Sequence, residues 1–292
     1  MTRLFVVVAL SAAVLSGPAK AGHYAAPAAQ DSTFARASAF AQAPADKLVD
    51  KTAEWVARQV RDRNTGRDSR SELRMRLIDR QGRVRERALT MLRLRGEKAK
   101  GDRALIRFTY PNDIRNTSFL VWEHPGAADE RFLFLPALGR VRRIAGQEKD
   151  ESFVGSDLSY EDIGGRDISY YTYAFTADDT SWMAPDGTRH PAWLLESKAK
   201  DPNAQLPRSV SFVLKEKFVI TAADVFNRRN ERVKHFEARR LERIEGIWTV
   251  LDLVMSNERD DTRTELTTTS IHYNVGLKED DFSRRQLEAG AR

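Results

Sequence analysis

Ser71-Glu72-Leu73-Arg74-Met75-Arg76-Leu77 sets the architecture of this chain. Leu73, Met75 and Leu77 alternate with Glu72, Arg74 and Arg76, the period of two that sends successive side chains to opposite faces of a half-buried strand. Asp79-Arg80-Gln81-Gly82 is turn-like. Val84, Ala88, Thr90, Leu92 and Leu94 then carry a second long strand, whose other face holds Arg83, Arg85, Arg87, Arg93 and Arg95. Further strands are predicted over 103–110, 117–123, 130–135, 139–145, 167–176, 191–199, 208–215, 217–226, 232–244, 247–256 and 262–274. Their punctuation is that of hairpins: Gly96 to Gly101, Pro125-Gly126, Pro136 to Gly139, Asn227 to Asn230, Glu245-Gly246 and Asn257 to Asp261. So many strands in sequence form an antiparallel meander, and an open twisted sheet of more than about ten strands has to curl. The expected fold is mainly β with one or a few helices. It is a curved antiparallel sheet forming an incomplete, half β-barrel, with an apolar concave face covered by helix.

On the N-terminal side of that sheet a helix is predicted to start near Asp46, a plausible N-cap. Leu48, Val49, Thr52, Val56 and Val60 form a sloping apolar stripe with Trp55 at one edge, and Asn64-Thr65-Gly66 stops it. Residues 22–44 are Ala-rich, contain Pro27 and Pro44, and read as a flexible arm. Residues 1–21 have the form of a secretory leader. Arg3 precedes the apolar run Leu4 to Leu15, Gly17-Pro18 breaks the helix, and Ala19-Lys20-Ala21 offers a small-x-small cleavage site. The mature chain is expected to begin at Gly22 and to reside in the periplasm after Sec export. Residues 45–292 are then a single binding domain.

Composition narrows the chemistry. The chain has no cysteine, which removes disulfides, thiol nucleophiles, cysteine metal sites and an acylated N-terminal cysteine. Its 48 Lys+Arg against 42 Asp+Glu leave a small positive balance, which outside the cytoplasm fits lipid headgroups better than nucleic acid and is also an ordinary solubility setting. His23, His124, His190, His235 and His272 are scattered without metal-ligand spacing, and Gly155-Ser156-Asp157 is not a nucleophile elbow. No catalytic set, metal site or cofactor is expected.

Three strings in the centre carry a further signal: Tyr110-Pro111-Asn112-Asp113-Ile114-Arg115, Leu135-Pro136-Ala137-Leu138-Gly139-Arg140-Val141-Arg142-Arg143-Ile144, and Ser152-Phe153-Val154-Gly155-Ser156-Asp157-Leu158-Ser159-Tyr160-Glu161-Asp162. In this order, after a helix and hairpin and before a meander ending in Asp281-Phe282-Ser283, they resemble the outer-membrane lipoprotein-sorting protein family, relatives of the periplasmic lipoprotein carrier (LolA-like). The likeness spans roughly residues 45–288. Asn116 stands where the resemblance implies glycine. The resemblance implies a curved sheet, partly closed by helices, that holds acyl chains of lipid or lipoprotein. It also implies a link to inner-membrane transporters of the resistance-nodulation-division superfamily. An accessory subunit of such a transporter and a lipid-sensing regulator are therefore alternatives to a carrier, and a monomer is expected.

Candidate ligand contacts follow from strands with two apolar faces. Over 117–122 and 131–135, Phe119 and Val121 oppose Leu120 and Trp122, and Phe132 and Phe134 oppose Leu133 and Leu135. Such strands touch apolar matter twice, so one face can meet the helix and the other a lipid, or both can be protein core. The expected cavity residues are Leu120, Trp122, Phe132, Phe134, Phe153 and Tyr160. Arg140, Arg142 and Arg143 precede Asp157, Glu161 and Asp162, a pattern that fits latch pairs across a cavity rim, a headgroup site at Arg142, or an ion-pair network fixing a loop.

Overall fold

The computed structural model describes residues 52–96 and 100–289. The expected leader, arm and Asp46 helix start lie outside the described residues. The first described helix, α1, is Ala53–Asp62; Thr52, expected within the apolar stripe, is instead extended and caps it, its hydroxyl accepting the Trp55 N–H at 3.1 Å. Ala53, Val56, Ala57 and Val60 recur at i, i+3, i+4 and i+7 and are its buried face.

Among the described residues thirteen strands form one antiparallel sheet. They are β1 (Asp68–Ile78), β2 (Val84–Leu94), β3 (Arg103–Tyr110), β4 (Ser118–Trp122), β5 (Glu130–Leu135), β6 (Arg140–Arg143), β7 (Tyr171–Met183), β8 (Arg189–Ala199), β9 (Arg208–Leu214), β10 (Ile220–Phe226), β11 (Arg232–Ile244), β12 (Ile247–Asn257) and β13 (Thr262–Tyr273). The order is β6-β5-β4-β3-β2-β1-β13-β12-β11-β10-β9-β8-β7. The first and last strands pair at the centre, Met75 opposite Leu266, so two meander wings grow outward from a shared seam. β6 and β7 are the free edges, and the sheet stays open as the half-barrel the strand count requires. The expected strand over 167–176 begins later and runs further. Asp167 accepts the Ser169 N–H at 2.9 Å, a turn that holds 168–170 in a 3-10 helix, and β7 then continues to Met183 through two register shifts.

The link from β6 to β7, residues 144–170, has to travel from one edge of the sheet to the other, and it does so across the concave face. It contains 3-10 turns at Gly146–Glu148 and Phe153–Gly155 and the short helix α2 (Tyr160–Gly164). On the first wing it buries Phe153, Leu158, Tyr160 and Ile163 against Leu73, Met75, Phe108, Phe119, Val121 and Leu133. On the second wing α1 covers Trp193, Leu195 and Val213. The opposite face of β3–β6 is also covered. The C-terminal segment, with a 3-10 turn at Glu279–Phe282 and α3 (Arg284–Glu288), lays Phe282 and Leu287 on Leu105, Leu120, Phe132 and Phe134.

Asn116, where the resemblance implies glycine, takes a left-handed conformation. Its φ is +67°, a left-handed value that asparagine tolerates better than most residues, and its N–H donates to Phe108 O at 2.8 Å.

Candidate functional site

The Ser152–Asp162 string is a staple whose residues can each be assigned a task. Phe153, fully buried, packs its ring 5.8 Å from Phe108, 5.4 Å from Phe119 and 5.7 Å from Tyr160. Val154 and Gly155 both take left-handed φ values, +49° and +74°, which reverse the chain. The Ser152 hydroxyl donates to Ser156 O at 2.6 Å, and the Ser156 hydroxyl donates to Phe153 O at 2.8 Å, closing the turn. The Asp157 carboxylate accepts from the Thr262 and Thr264 hydroxyls, which fastens the segment to β13. Ser159 caps α2 and receives the reciprocal bond of Asp162, Ser159 N–H to Asp162 Oδ2 at 2.8 Å. At Gly164 a Cβ would sit 3.3 Å from both Arg131 Nε and Val121 Cγ2, so a side chain there would press on the strands beneath.

Glu161 is the electrostatic centre. Lys149 Nζ donates to it at 2.8 Å, Arg166 Nε lies 3.6 Å away, and the Tyr171 hydroxyl donates at 3.3 Å. Burial pushes the Glu161 carboxyl up, but Arg166 and Lys149 outweigh it and hold the group below the usual carboxylate range. Arg166 also stacks 4.0 Å from the Tyr171 ring and donates to Ser209 Oγ at 3.2 Å, which ties the crossing segment to the second wing. Arg131 pairs with Asp129 at 2.9 Å beside this cluster.

Between α1 and the crossing segment the concave face of the second wing is left unfilled. A cavity of about 120 Å³ is walled by Val60, Leu158, Val219, Ile220, Ala223, Val225, Phe236, Val250 and Met255. Its space comes from small residues on neighbouring strands: Ser211 of β9 pairs with Ala223 of β10, which pairs with Phe236 of β11. Arg63 lines it, donating to Trp248 O at 3.0 Å. Burial, with Arg93 and Arg95 alongside, lowers that guanidinium to about 10, so it keeps its charge at neutral pH. Asp150, Glu161 and Leu206 line both this cavity and a wider cleft of about 1020 Å³. The cleft runs between β6, through Arg143, and the 199–206 turn, and Tyr170 and Tyr171 line it too. The arrangement is an apolar chamber opening into a charged mouth.

The structure does not bring the six expected cavity residues together. Leu120, Trp122, Phe132 and Phe134 face away from the chamber, packed under the C-terminal segment, where Trp122 Nε1 donates to Phe282 O at 2.6 Å. Phe153 and Tyr160 lie on the other side of the sheet, within the first wing's core. None of the six lines the chamber. The rim charges are also differently engaged. Among the described residues Arg142 pairs with Glu148 and Arg143 with Glu130, and neither they nor Arg140 pair with Asp157, Glu161 or Asp162. Glu161 and Asp162 do line the chamber, Asp162 with Lys234 at 3.9 Å. The residues missed by sequence reasoning are Ser209, Ser211 and Ala223. Their signal is visible in retrospect: Ser209-Val210-Ser211-Phe212 alternates small polar with large apolar, so one face of β9 has little volume to fill space. Among the described residues no cluster of His, Asp and Glu is placed to hold a metal ion.

A family model whose description reads "-like: Uncharacterized protein" matches residues 100–289, and no curated protein matches the chain. Among solved structures, a domain described as outer-membrane lipoprotein-sorting, from Vibrio parahaemolyticus, is 27% identical with a TM-score of 0.73, covering 81% of this chain and 98% of that one. A DUF1329 family protein from Desulfovibrio piger is 29% identical with a TM-score of 0.72, covering 80% and 97%. A LolA superfamily protein from Nitrosomonas europaea, 12% identical over 80% and 99%, shares the fold with a TM-score of 0.62. The half-barrel, its crossing staple and these likenesses agree: the chain belongs to the family whose model matches residues 100–289, and it has the LolA-like fold.

Proposed function

We propose that this protein is a periplasmic carrier that binds the acyl chain of a lipid or lipidated ligand in the chamber between α1 and the crossing segment, with the polar end of the ligand in the cleft. The observation that carries the reading is the chamber itself, walled along the strands mainly by Val219, Ile220, Ala223, Val225, Phe236, Val250 and Met255 and joined to the cleft at Asp150, Glu161 and Leu206. Size refines it. A chamber of about 120 Å³ compares with the roughly 150 Å³ that accommodates benzene, so a long chain has to extend into the 1020 Å³ cleft. Each buried methylene contributes about 0.8 kcal/mol, and leaving a bilayer costs a similar amount, so loading is near balance. A near-balanced carrier can release its ligand to a membrane or to a transporter of the resistance-nodulation-division superfamily. The leader-like residues 1–21 and the lipoprotein-sorting name of the Vibrio relative support the compartment.

The test is displacement of an apolar fluorescent probe by long-chain lipid, together with native mass spectrometry of protein purified from the periplasm. Ala223→Trp fills the chamber and is expected to cut probe affinity at least tenfold with the circular dichroism spectrum retained. Ser211→Leu, a smaller intrusion, is expected to cut it several-fold. Full affinity in both folded variants overturns the reading.

A further inference from the structure

The strand ends of the first wing carry a surface that the chamber does not use. At the end of the sheet where β1 turns into β2, β3 into β4 and β5 into β6, three large apolar side chains are exposed: Leu138 (63%), Tyr110 (54%) and Val84 (42%). They come from three separate turns or strand ends, spread over neighbouring strands about 4.8 Å apart. Around them stand Arg80, Arg85, Arg115 and Arg140, all exposed. Among the described residues none of these four has a carboxylate partner, and Arg115 donates only to Thr109 O, at 3.1 Å.

The same end of the other wing is the internal comparison. There Arg228 donates to Ala204 O and Asn203 O, Arg229 pairs with Glu231 at 3.1 Å, Arg232 pairs with Asp224 and Glu258, and Arg259 pairs with Asp260 at 3.3 Å. Ion-paired arginines occur at this end of both wings, since Arg83 pairs with Asp79 at 2.7 Å on the first, but Arg80, Arg85, Arg115 and Arg140 have no carboxylate partner among the described residues and surround the apolar tips. Unpaired guanidiniums are complementary to phosphate, and protruding Leu, Tyr and Val side chains suit the boundary between headgroups and acyl chains.

We propose that this end of the first wing docks the protein on an anionic phospholipid surface, with Leu138, Tyr110 and Val84 entering the headgroup layer and Arg80, Arg85, Arg115 and Arg140 contacting lipid phosphates. The placement suits the carrier reading on which its purpose rests. Leu138 lies two residues before β6, and Arg143 at the far end of that strand lines the cleft, so docking brings the mouth to within roughly 15 Å of the membrane at about 3.3 Å per residue.

The experiment is co-sedimentation with vesicles of phosphatidylcholine alone or mixed with phosphatidylglycerol. The protein is expected to bind the mixed vesicles, to be released by salt, and not to bind the neutral ones. Reversing all four arginines to Glu is expected to lower binding well over tenfold, since each such contact near an anionic surface is worth about fivefold. Leu138→Asp is expected to weaken binding several-fold without changing its salt dependence. Arg189→Glu with Arg243→Glu, exposed at the opposite end of the sheet, is expected to bind like the parent. Equal loss from that control pair, full binding by the four-arginine variant, or no binding of the parent to anionic vesicles each overturns the proposal, the last also being the outcome if the surface serves a protein partner. Docking is separable from loading: Ala223→Trp should still sediment with vesicles, and the four-arginine variant should still take up the soluble probe.

Discussion

The two wings of the sheet start from the same geometry and end differently. On the first, the concave face is filled with aromatic rings, Phe108 and Phe119 from the strands and Phe153 and Tyr160 from the crossing segment. On the second, Ser209, Ser211 and Ala223 stand where bulky residues would be needed to reach a covering element, and α1 spans the gap without filling it. A covered sheet face thus becomes core or chamber according to side-chain volume on alternate residues, while the backbone is nearly the same. Glu161 sits at the boundary, on the last element of the filled side and on the wall of the open one.

The contrast can be broken first at Phe153. Phe153→Ala removes a fully buried ring that touches three others, and about 3–5 kcal/mol of stability should go with it. Urea unfolding measures this. A cost below about 1 kcal/mol would mean that the crossing segment is loosely laid on the first wing and that the two wings are alike.

Glu161→Gln comes next. It leaves Lys149 and Arg166 without their shared carboxylate, and removing one member of a buried pair costs about 3 kcal/mol. The sign of its pH dependence follows from the depressed folded value. The ionised carboxylate stabilises the fold above the ordinary value of 4.5, and that contribution is lost as pH falls through the lower folded value. The stability gap between parent and variant should therefore be widest near neutrality and narrow in acid. Parallel melting-temperature curves from pH 7 to pH 3 would show that Glu161 is not the charge that locks the boundary.

The smallest expected effect sharpens the distinction between the two faces of the first wing. Trp122→Phe deletes the indole N–H bond to Phe282 O and should cost about 1 kcal/mol, with probe affinity unchanged. Loss of probe binding at full stability would move the ligand under the C-terminal segment and undo the assignment of the chamber to the second wing.

The number and order of the strands were legible because a period of two and hairpin residues such as Asn257 to Asp261 act locally, while the start of β7 was not, being set by the turn at Asp167. Register follows from them, since a one-residue slip would turn Leu73, Met75 and Leu77 out to solvent. The identity of the family was legible in the Ser152–Asp162 string, whose residues bond mostly to one another. What alternation cannot say is which face of a doubly apolar strand meets which cover. Trp122 and Phe119 look equivalent in sequence, yet one lies beneath Phe282, 160 residues away, and the other against Phe153. Nor could charge spacing pair Arg142 correctly. Its partner is the near Glu148, while Glu161 is held by Lys149 and Arg166, because a crossing chain places its charges by its path over the sheet. The sequence by itself determined the curled meander and the buried Val56 and Val60 of α1, both products of periodicity. Only the tertiary structure decided where the empty volume lies, because a cavity is the difference between what two distant elements enclose and what their side chains fill.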